Sequence, residues 1–226
     1  VCGVVRMSHR IDLWGWQLRG DASTATLSPD EISRAARFIF CRDRDRYIAG
    51  RVRLRAILSL YTGVSPAAIR FRYGPNGRPE IDGLRFNLSH TGDLALLAVG
   101  DGAPLGADIE ALRPVSLDVA RRYFAPGEVD ALMALPWRHR QSAFFRCWTR
   151  KEAYLKALGT GLATDLSSFT VTLTPDQPAR LTTCASGQAA DWSLHDIALP
   201  SGLAGAIALR SQQEPVSLVW RSHFDS

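Results

Sequence analysis

Apolar and polar positions follow two rhythms along this chain, and the rhythms recur in the same order twice. Residues 11–18, 84–89, 94–99 and 105–110 carry short apolar runs or two-residue alternation, the pattern of part-buried strands. Residues 68–73, 169–173, 192–197 and 204–209 read the same way. Two longer stretches, 44–61 and 140–158, are spaced for helices. Ser28-Pro29-Asp30-Glu31 forms a capping box with proline at the first helical position, so a short helix starts there. Gly63 and the glycines at 159 and 161 suit left-handed caps that end the long helices.

The second half of the chain echoes the first. Leu27-Ser28-Pro29-Asp30-Glu31-Ile32 returns as Phe124-Ala125-Pro126-Gly127-Glu128-Val129, at an offset of 97. Leu60-Tyr61-Thr62-Gly63-Val64 returns as Leu158-Gly159-Thr160-Gly161-Leu162, at an offset of 98. The apolar run 94–99 has its counterpart at 204–209, offset by 110, so insertions fall late, where loops absorb them. The expected fold is α+β: two similar αβ subdomains, each a small, mainly antiparallel sheet packed on a long helix. The boundary falls in the Gly100-Asp101-Gly102-Ala103-Pro104 loop, giving subdomains 1–104 and 105–226. Such halves pack about a pseudo-twofold axis as a monomer, and the cleft between them is the expected site.

Composition narrows the class. Apolar content of 46% and charged content of 22% are ordinary for a globular protein. Cys2, Cys41, Cys147 and Cys184 are scattered, which argues against a disulfide framework or structural zinc. The longest apolar run, Leu94 to Val99, is strand-sized, and the N-terminus has no apolar signal core. A cytoplasmic protein without a membrane partner is expected.

The net charge of +5 is uneven: residues 34–85 hold twelve Arg against four acids. That cluster suits an anionic partner, whether a nucleic acid, a phosphorylated cofactor or an acidic protein, and equally an Arg-rich helix facing water. Only two of the 27 basic residues are lysine, Lys151 and Lys156. A site that needs a compact ammonium tolerates lysine and rejects the bulkier guanidinium.

Three segments carry candidate chemistry. In Gly106-Ala107-Asp108-Ile109-Glu110, two-residue alternation throws Asp108 and Glu110 to one face, where like charges call for a cation such as Mg²⁺. Exposed acids on an edge strand give the same pattern. In the helix, Glu152 and Lys156 lie one turn apart, either as a surface ion pair or as a third carboxylate and a phosphate-neutralising ammonium. Arg85-Phe86-Asn87-Leu88-Ser89-His90-Thr91 ends a strand in small polar groups. Ser89 and Thr91 suit caps on backbone amides, and His90 suits a phosphate donor.

In this order F-N-L-S-H-T, G-A-D-I-E and W-T-R-K-E-A-Y-L-K-A-L-G-T-G-L resemble the large, monomeric, surfactin-synthetase-activating type of 4′-phosphopantetheinyl transferase, in its W-x-x-K-E-A variant. The resemblance spans nearly the whole chain and includes Gly77-Arg78-Pro79. It implies Mg²⁺-dependent transfer of the phosphopantetheine arm of coenzyme A to a serine of an apo acyl, peptidyl or aryl carrier protein. The metal would lie on Asp108, Glu110 and Glu152, while Lys156 and Lys151 assist at the pyrophosphate and the attacking serine. Coenzyme A would meet Arg46, Arg34, Arg78, Ser89, His90, Asp108 and Lys156. Glu128 aligns with a further catalytic carboxylate, and its place in a Pro-led helix also suits a dipole-stabilising acid. One departure is Glu31, where the family's type member carries lysine.

Two other readings use the same residues. A Mg²⁺-dependent phosphohydrolase would employ the three carboxylates with water as nucleophile. A nucleic-acid-binding domain would use the Arg cluster, but the cluster lacks interleaved surface aromatics on a recognisable module.

Overall fold

β5 (Leu94–Gly100) shows how the strand rhythm builds the layers. Ala95, Leu97 and Val99 point one way and join Leu54, Ile57 and Leu58 of α2 (Cys41–Thr62) in a buried cluster. Leu96 and Ala98 point the other way, into a cluster completed by the second half of the chain. The structure is a computed structural model and describes residues 8–20, 22–74, 77–160, 164–184, 187–211 and 214–224.

β5 is central in a four-stranded sheet of order β11-β1-β5-β4, with β1 at His9–Gln17, β4 at Arg85–Thr91 and β11 at Val216–Ser222. All neighbours are antiparallel except β1 and β11, which run parallel. The second sheet has order β6-β10-β9, antiparallel throughout, from Leu105–Ala111, Leu203–Leu209 and Ser193–Asp196. α5 (Trp137–Leu158) covers it, burying Phe144, Phe145, Tyr154 and Leu155 with Ala206 and Ala208 of β10. Ile207 and Leu209 face the opposite way and meet Ile11, Leu13 and Leu96 of the first sheet. The fold is therefore α+β, two small sheets each packed on one long helix.

Short helices precede the long ones as the capping signals predict: α1 (Pro29–Ala35) before α2, and α4 (Pro126–Ala134) before α5. Gly63 and Gly159 cap α2 and α5 with φ of 67° and 75°, the left-handed region open to glycine. Gly161 and Leu162 lie outside the described residues. The stretch 68–73 does not form one strand. Proline at the start of a 3-10 turn, Pro66–Ala68, takes its beginning, and only Arg72–Tyr73 pairs, as β2, with β3 (Pro79–Glu80). Likewise 169–173 shrinks to β7 (Thr170–Val171), paired with β8 (Leu181–Thr183). α3 (Leu117–Tyr123) and β11 are elements without a sequence expectation. β11 follows the second half in the chain yet pairs with β1 of the first. No helix among the described residues is long and apolar enough to cross a membrane.

The glycine of G-A-D-I-E sets how closely strand and helix approach. A Cβ on Gly106 would fall inside contact distance of the Ala153 carbonyl and 2.5 Å from the Ala157 amide nitrogen. Both obstacles are α5 backbone, which has no rotamer to yield. Gly106→Ala should therefore destabilise the protein by about 3 kcal/mol or more, the upper range for overpacking. Chemical denaturation checks this, and a loss under about 1 kcal/mol would show that α5 rides free of β6.

Candidate active site

β6 carries Asp108 and Glu110 past the side of α5 that bears Glu152 and Lys156. Within residues 151–157 of that helix only Glu152 and Lys156 are not buried. Trp148 and Leu155 instead pack into the core, Trp148 against Phe124 and Phe144. The Lys156 ammonium spans the two halves: Nζ donates to Asp108 Oδ1 at 2.7 Å, to Ser89 Oγ at 2.9 Å and to the Ala107 carbonyl at 3.1 Å. Its side chain keeps 28% exposure, against 7% for Asp108.

The strand β4 meets the edge of β6 through side chains. Asn87 Oδ1 accepts from the Ala107 amide at 2.8 Å, Ser89 Oγ from Ile109 at 3.4 Å and Thr91 Oγ1 from Ala111 at 3.0 Å. Alternate residues of one strand thus take the place of a neighbouring backbone for alternate amides of the other. The capping expected of Ser89 and Thr91 does occur, but on a strand edge rather than in a turn. Asn87 is a site residue that sequence reasoning passed over, although the N-x-S-x-T alternation was its signal. His90 lies on the opposite face of β4, and desolvation, then the nearby Lys156 charge, draws its ring below the ordinary imidazole range.

Electrostatics show strain among the carboxylates. Burial pushes Asp108 above the usual carboxylate range in spite of Lys156, and the Glu110 charge adds to the rise. Glu152 is also raised, by burial and then by the charge on Asp108. Asp108 Oδ2 is buried without a hydrogen-bond partner. Among the described residues no three His, Cys, Asp or Glu side chains already converge on a point a metal ion could fill. The donors present are all hard carboxylate oxygens, three acids against the one ammonium of Lys156 and the exposed Arg113, and an unpartnered buried oxygen among them fits a hard divalent cation.

Lys151 and Glu128 are brought together, but away from this cluster. Lys151 is fully buried and 2.8 Å from Glu128 Oε2, and its ammonium donates to the Leu166 and Phe169 carbonyls at 2.8 and 2.5 Å. Glu128 also accepts from the amides of Ala125 and Val171. The first half repeats the device. Glu31 accepts from the Ser28 amide and from Arg55, and Arg55 donates to the Pro66 and Ile69 carbonyls. Arg51 holds the other Glu31 oxygen. In both halves a short-helix glutamate grips a buried cation of the long helix, which grips the turn that follows. Glu31, the departure from the family pattern, thus has a place in the core.

The remaining cofactor candidates are spread over the first half. Arg46 is bound to Asp93, where Arg19 and Arg42 also gather, beside a cavity of about 450 Å³. Asp93 has no signal in the sequence. Arg34 is exposed and lies over the Tyr47 ring at 5.5 Å. Arg78 donates to the carbonyls of Lys156, Phe86 and Leu105, tying the halves together at the wall of a cavity of about 460 Å³. Of the twelve Arg in residues 34–85, six (42, 44, 46, 51, 55 and 72) are paired with acids, so half of the cluster's charge is already met within the protein.

Comparison with known proteins places this geometry among relatives. Residues 104–208 match the 4′-phosphopantetheinyl transferase superfamily, and residues 18–101 match the 4′-phosphopantetheinyl transferase N-terminal family. The 4′-phosphopantetheinyl transferase HetI of Nostoc sp. is 42% identical over 90% of this chain and 89% of its own. The 4′-phosphopantetheinyl transferase psf-1 of Bacillus pumilus is 37% identical over 69% and 67%. The 4′-phosphopantetheinyl transferase Sfp of Bacillus subtilis is 33% identical over 66% and 68%.

Two expectations follow. Lys151→Met strands the buried Glu128 charge and should cost about 3–5 kcal/mol of stability by chemical denaturation; a loss below about 1 kcal/mol would remove the clamp. Glu152 is an acid whose folded-state value lies above the ordinary 4.5, so its ionised form weakens the fold and stability falls as pH rises through the window above 4.5. In chelator at neutral pH, Glu152→Gln should therefore melt higher than the wild type. The gap should close as pH falls towards 4.5, and a gap that widens on acidification would reverse the sign.

Proposed function

The chain belongs to the 4′-phosphopantetheinyl transferases, and from that premise we propose how its own residues perform the transfer. The enzyme moves the phosphopantetheine arm of coenzyme A to a serine hydroxyl of an apo carrier protein and releases adenosine 3′,5′-bisphosphate. The observation that carries the residue assignment is the ammonium of Lys156, partly exposed between Ser89 of one half and Asp108 of the other. A positive charge fixed at that boundary stabilises the negative charge that grows on the leaving bisphosphate as the phosphoryl bond breaks.

Asp108, Glu110 and Glu152 would hold Mg²⁺. When bound, the ion would supply charge neutralisation at the pyrophosphate of coenzyme A. The reading is supported by the buried, unpartnered Oδ2 of Asp108 and by the gathering of Asp108, Glu110 and Glu152, in which neighbouring negative charge adds to the rise that burial gives Asp108 and Glu152. His90 and Arg46 bind phosphate groups of coenzyme A from the first half. Arg34 extends that basic surface, and Ser89 orients Lys156 and Asp108 towards the substrate. Arg78 shapes the cavity between Phe86 and Leu105 and holds the halves in register. Lys151 and Glu128 act at one remove, by fixing the starts of α4 and of the segment after α5. The two αβ halves stand as pseudo-twofold equivalents within a monomer, 1–104 presenting the phosphate-binding groups and 105–226 the carboxylates. A cytoplasmic setting suits a reaction between coenzyme A and apo carrier proteins.

Incubation with coenzyme A, Mg²⁺ and a panel of apo acyl, peptidyl and aryl carriers, followed by intact mass, tests the assignment. One phosphopantetheine should be added per carrier, and excess chelator should abolish it. Glu152→Ala should lose roughly 10²-fold or more in turnover. Lys156→Arg should also lose most activity, since the planar guanidinium does not fit the ammonium's place between Ser89, Ala107 and Asp108. Full activity in Lys156→Arg would refute the role given to that amine. Hydrolysis of coenzyme A without a carrier would indicate a phosphohydrolase instead.

A further inference from the structure

The two carboxylates of β6 are held in the same manner by hydroxyls of β4. Ser89 Oγ accepts from the Ile109 amide and donates to Asp108 Oδ1 at 2.8 Å. Thr91 Oγ1, two residues on, accepts from the Ala111 amide and donates to Glu110 Oε2 at 3.2 Å. In each case one hydroxyl takes the amide of residue n + 1 and gives its proton to the carboxylate of residue n. The hydroxyl has one proton to give, so the backbone bond fixes its direction and the carboxylate receives it.

The consequence is the same at both acids. Every hydrogen bond to Asp108 falls on Oδ1, from Ser89 and Lys156, and Oδ2 remains without a partner. The hydrogen bonds to Glu110 from Thr91 and from Arg113, at 2.9 Å, both fall on Oε2. In both acids the hydrogen bonds described gather on one oxygen, which leaves the other available to a further partner. Thr91 is 9% exposed and Glu110 is part-buried, so the tether lies inside the protein rather than in bulk water.

We propose that Thr91 is a positioning residue that acts through Glu110: it pins Oε2 to β4 and so presents Oε1 to the divalent cation. The proposal rests on the metal assignment given above. β4 thereby reads as a template whose side chains fix both the edge of β6 and the direction of its acids. Arg113 binds the same oxygen from the exposed side, where its guanidinium also donates to the Ala111 carbonyl and lies over the Phe145 ring, whereas the threonine hydroxyl is fixed by the strand that carries it.

Mn²⁺ binding to the full chain, followed by electron paramagnetic resonance of the free ion and by calorimetry, provides a readout independent of transfer. Thr91→Val keeps the shape and removes the hydroxyl. It should weaken Mn²⁺ binding by about tenfold, as expected for loss of one hydrogen bond to a charged group. The Mg²⁺ concentration for half-maximal transfer should rise more than the rate at saturating Mg²⁺ falls. Thr91→Ser should restore both. In a Glu110→Gln background, Thr91→Val should cause no further loss of Mn²⁺ affinity. Wild-type affinity in Thr91→Val, failure of serine to rescue, or an equal loss in both backgrounds would each overturn the positioning role. Should Thr91→Val fail to fold, Thr91→Ala removes the same hydroxyl with a smaller side chain: weaker Mn²⁺ binding supports the pinning of Oε2, and wild-type affinity refutes it. If Mn²⁺ binds neither the wild type nor any variant, the metal assignment falls first, and the proposal falls with it.

Discussion

The junction between β4 and β6 is the contact on which the rest of the structure depends. An edge strand buried in the middle of a protein leaves a row of amides that need partners, and each unpaired group costs about as much as a lost hydrogen bond. A continuous sheet would solve this with backbone, fusing the halves into one surface. Here Asn87, Ser89 and Thr91 supply side-chain oxygens instead, so the sheets abut without merging. The gap this leaves is about one side chain wide, and it is where Asp108 and Lys156 sit. Polarity is thus built into the seam while apolar packing of Leu96, Ile109 and Ile207 closes it from behind. Arg78 fastens the seam from the other end through three carbonyls.

The buried clamps show a different use of charge. Glu31 with Arg55 and Glu128 with Lys151 each join a short helix, a long helix and a turn that would otherwise meet only through loops. Each cation is almost wholly shielded from water, so the pair stabilises only because the remaining donors and acceptors are filled by backbone groups. Arginine serves in one half and lysine in the other, with the same topology of bonds. The glutamate is the same in both halves, and only the cation it holds differs.

The two rhythms made most of this fold legible: the long helices, their glycine caps and the central strands all follow from local pattern. The pairing of Asp108 with Glu110 on one face was also legible, because strand periodicity is a local property. Lys151 was not. It adjoins Glu152 in sequence, but successive residues on a helix diverge by about 100°, so one points into the core while its neighbour points to the seam. Position 156, one turn beyond 152, returns to the same side. β2 and β7 are shorter than the apolar alternation suggests because Ile69, Phe169 and Leu173 are buried by core packing while lying outside the paired residues. Asp93 and β11 lay beyond local pattern altogether, since their partners are distant in the chain.

The parallel pairing of β11 with β1 has a bearing on how this protein comes into being. His9 lies opposite Val216, a separation of 207 residues, and Phe224 packs its ring against Gly15. During synthesis both long helices and the whole second sheet are made between β1 and the strand that shields its edge. Contacts of such long range are slow to form, and an open strand edge is prone to join a neighbouring chain meanwhile. The first sheet therefore reaches its final form only after translation of both halves. Until then the open edge of β1 needs a protection that the chemistry of the seam does not provide.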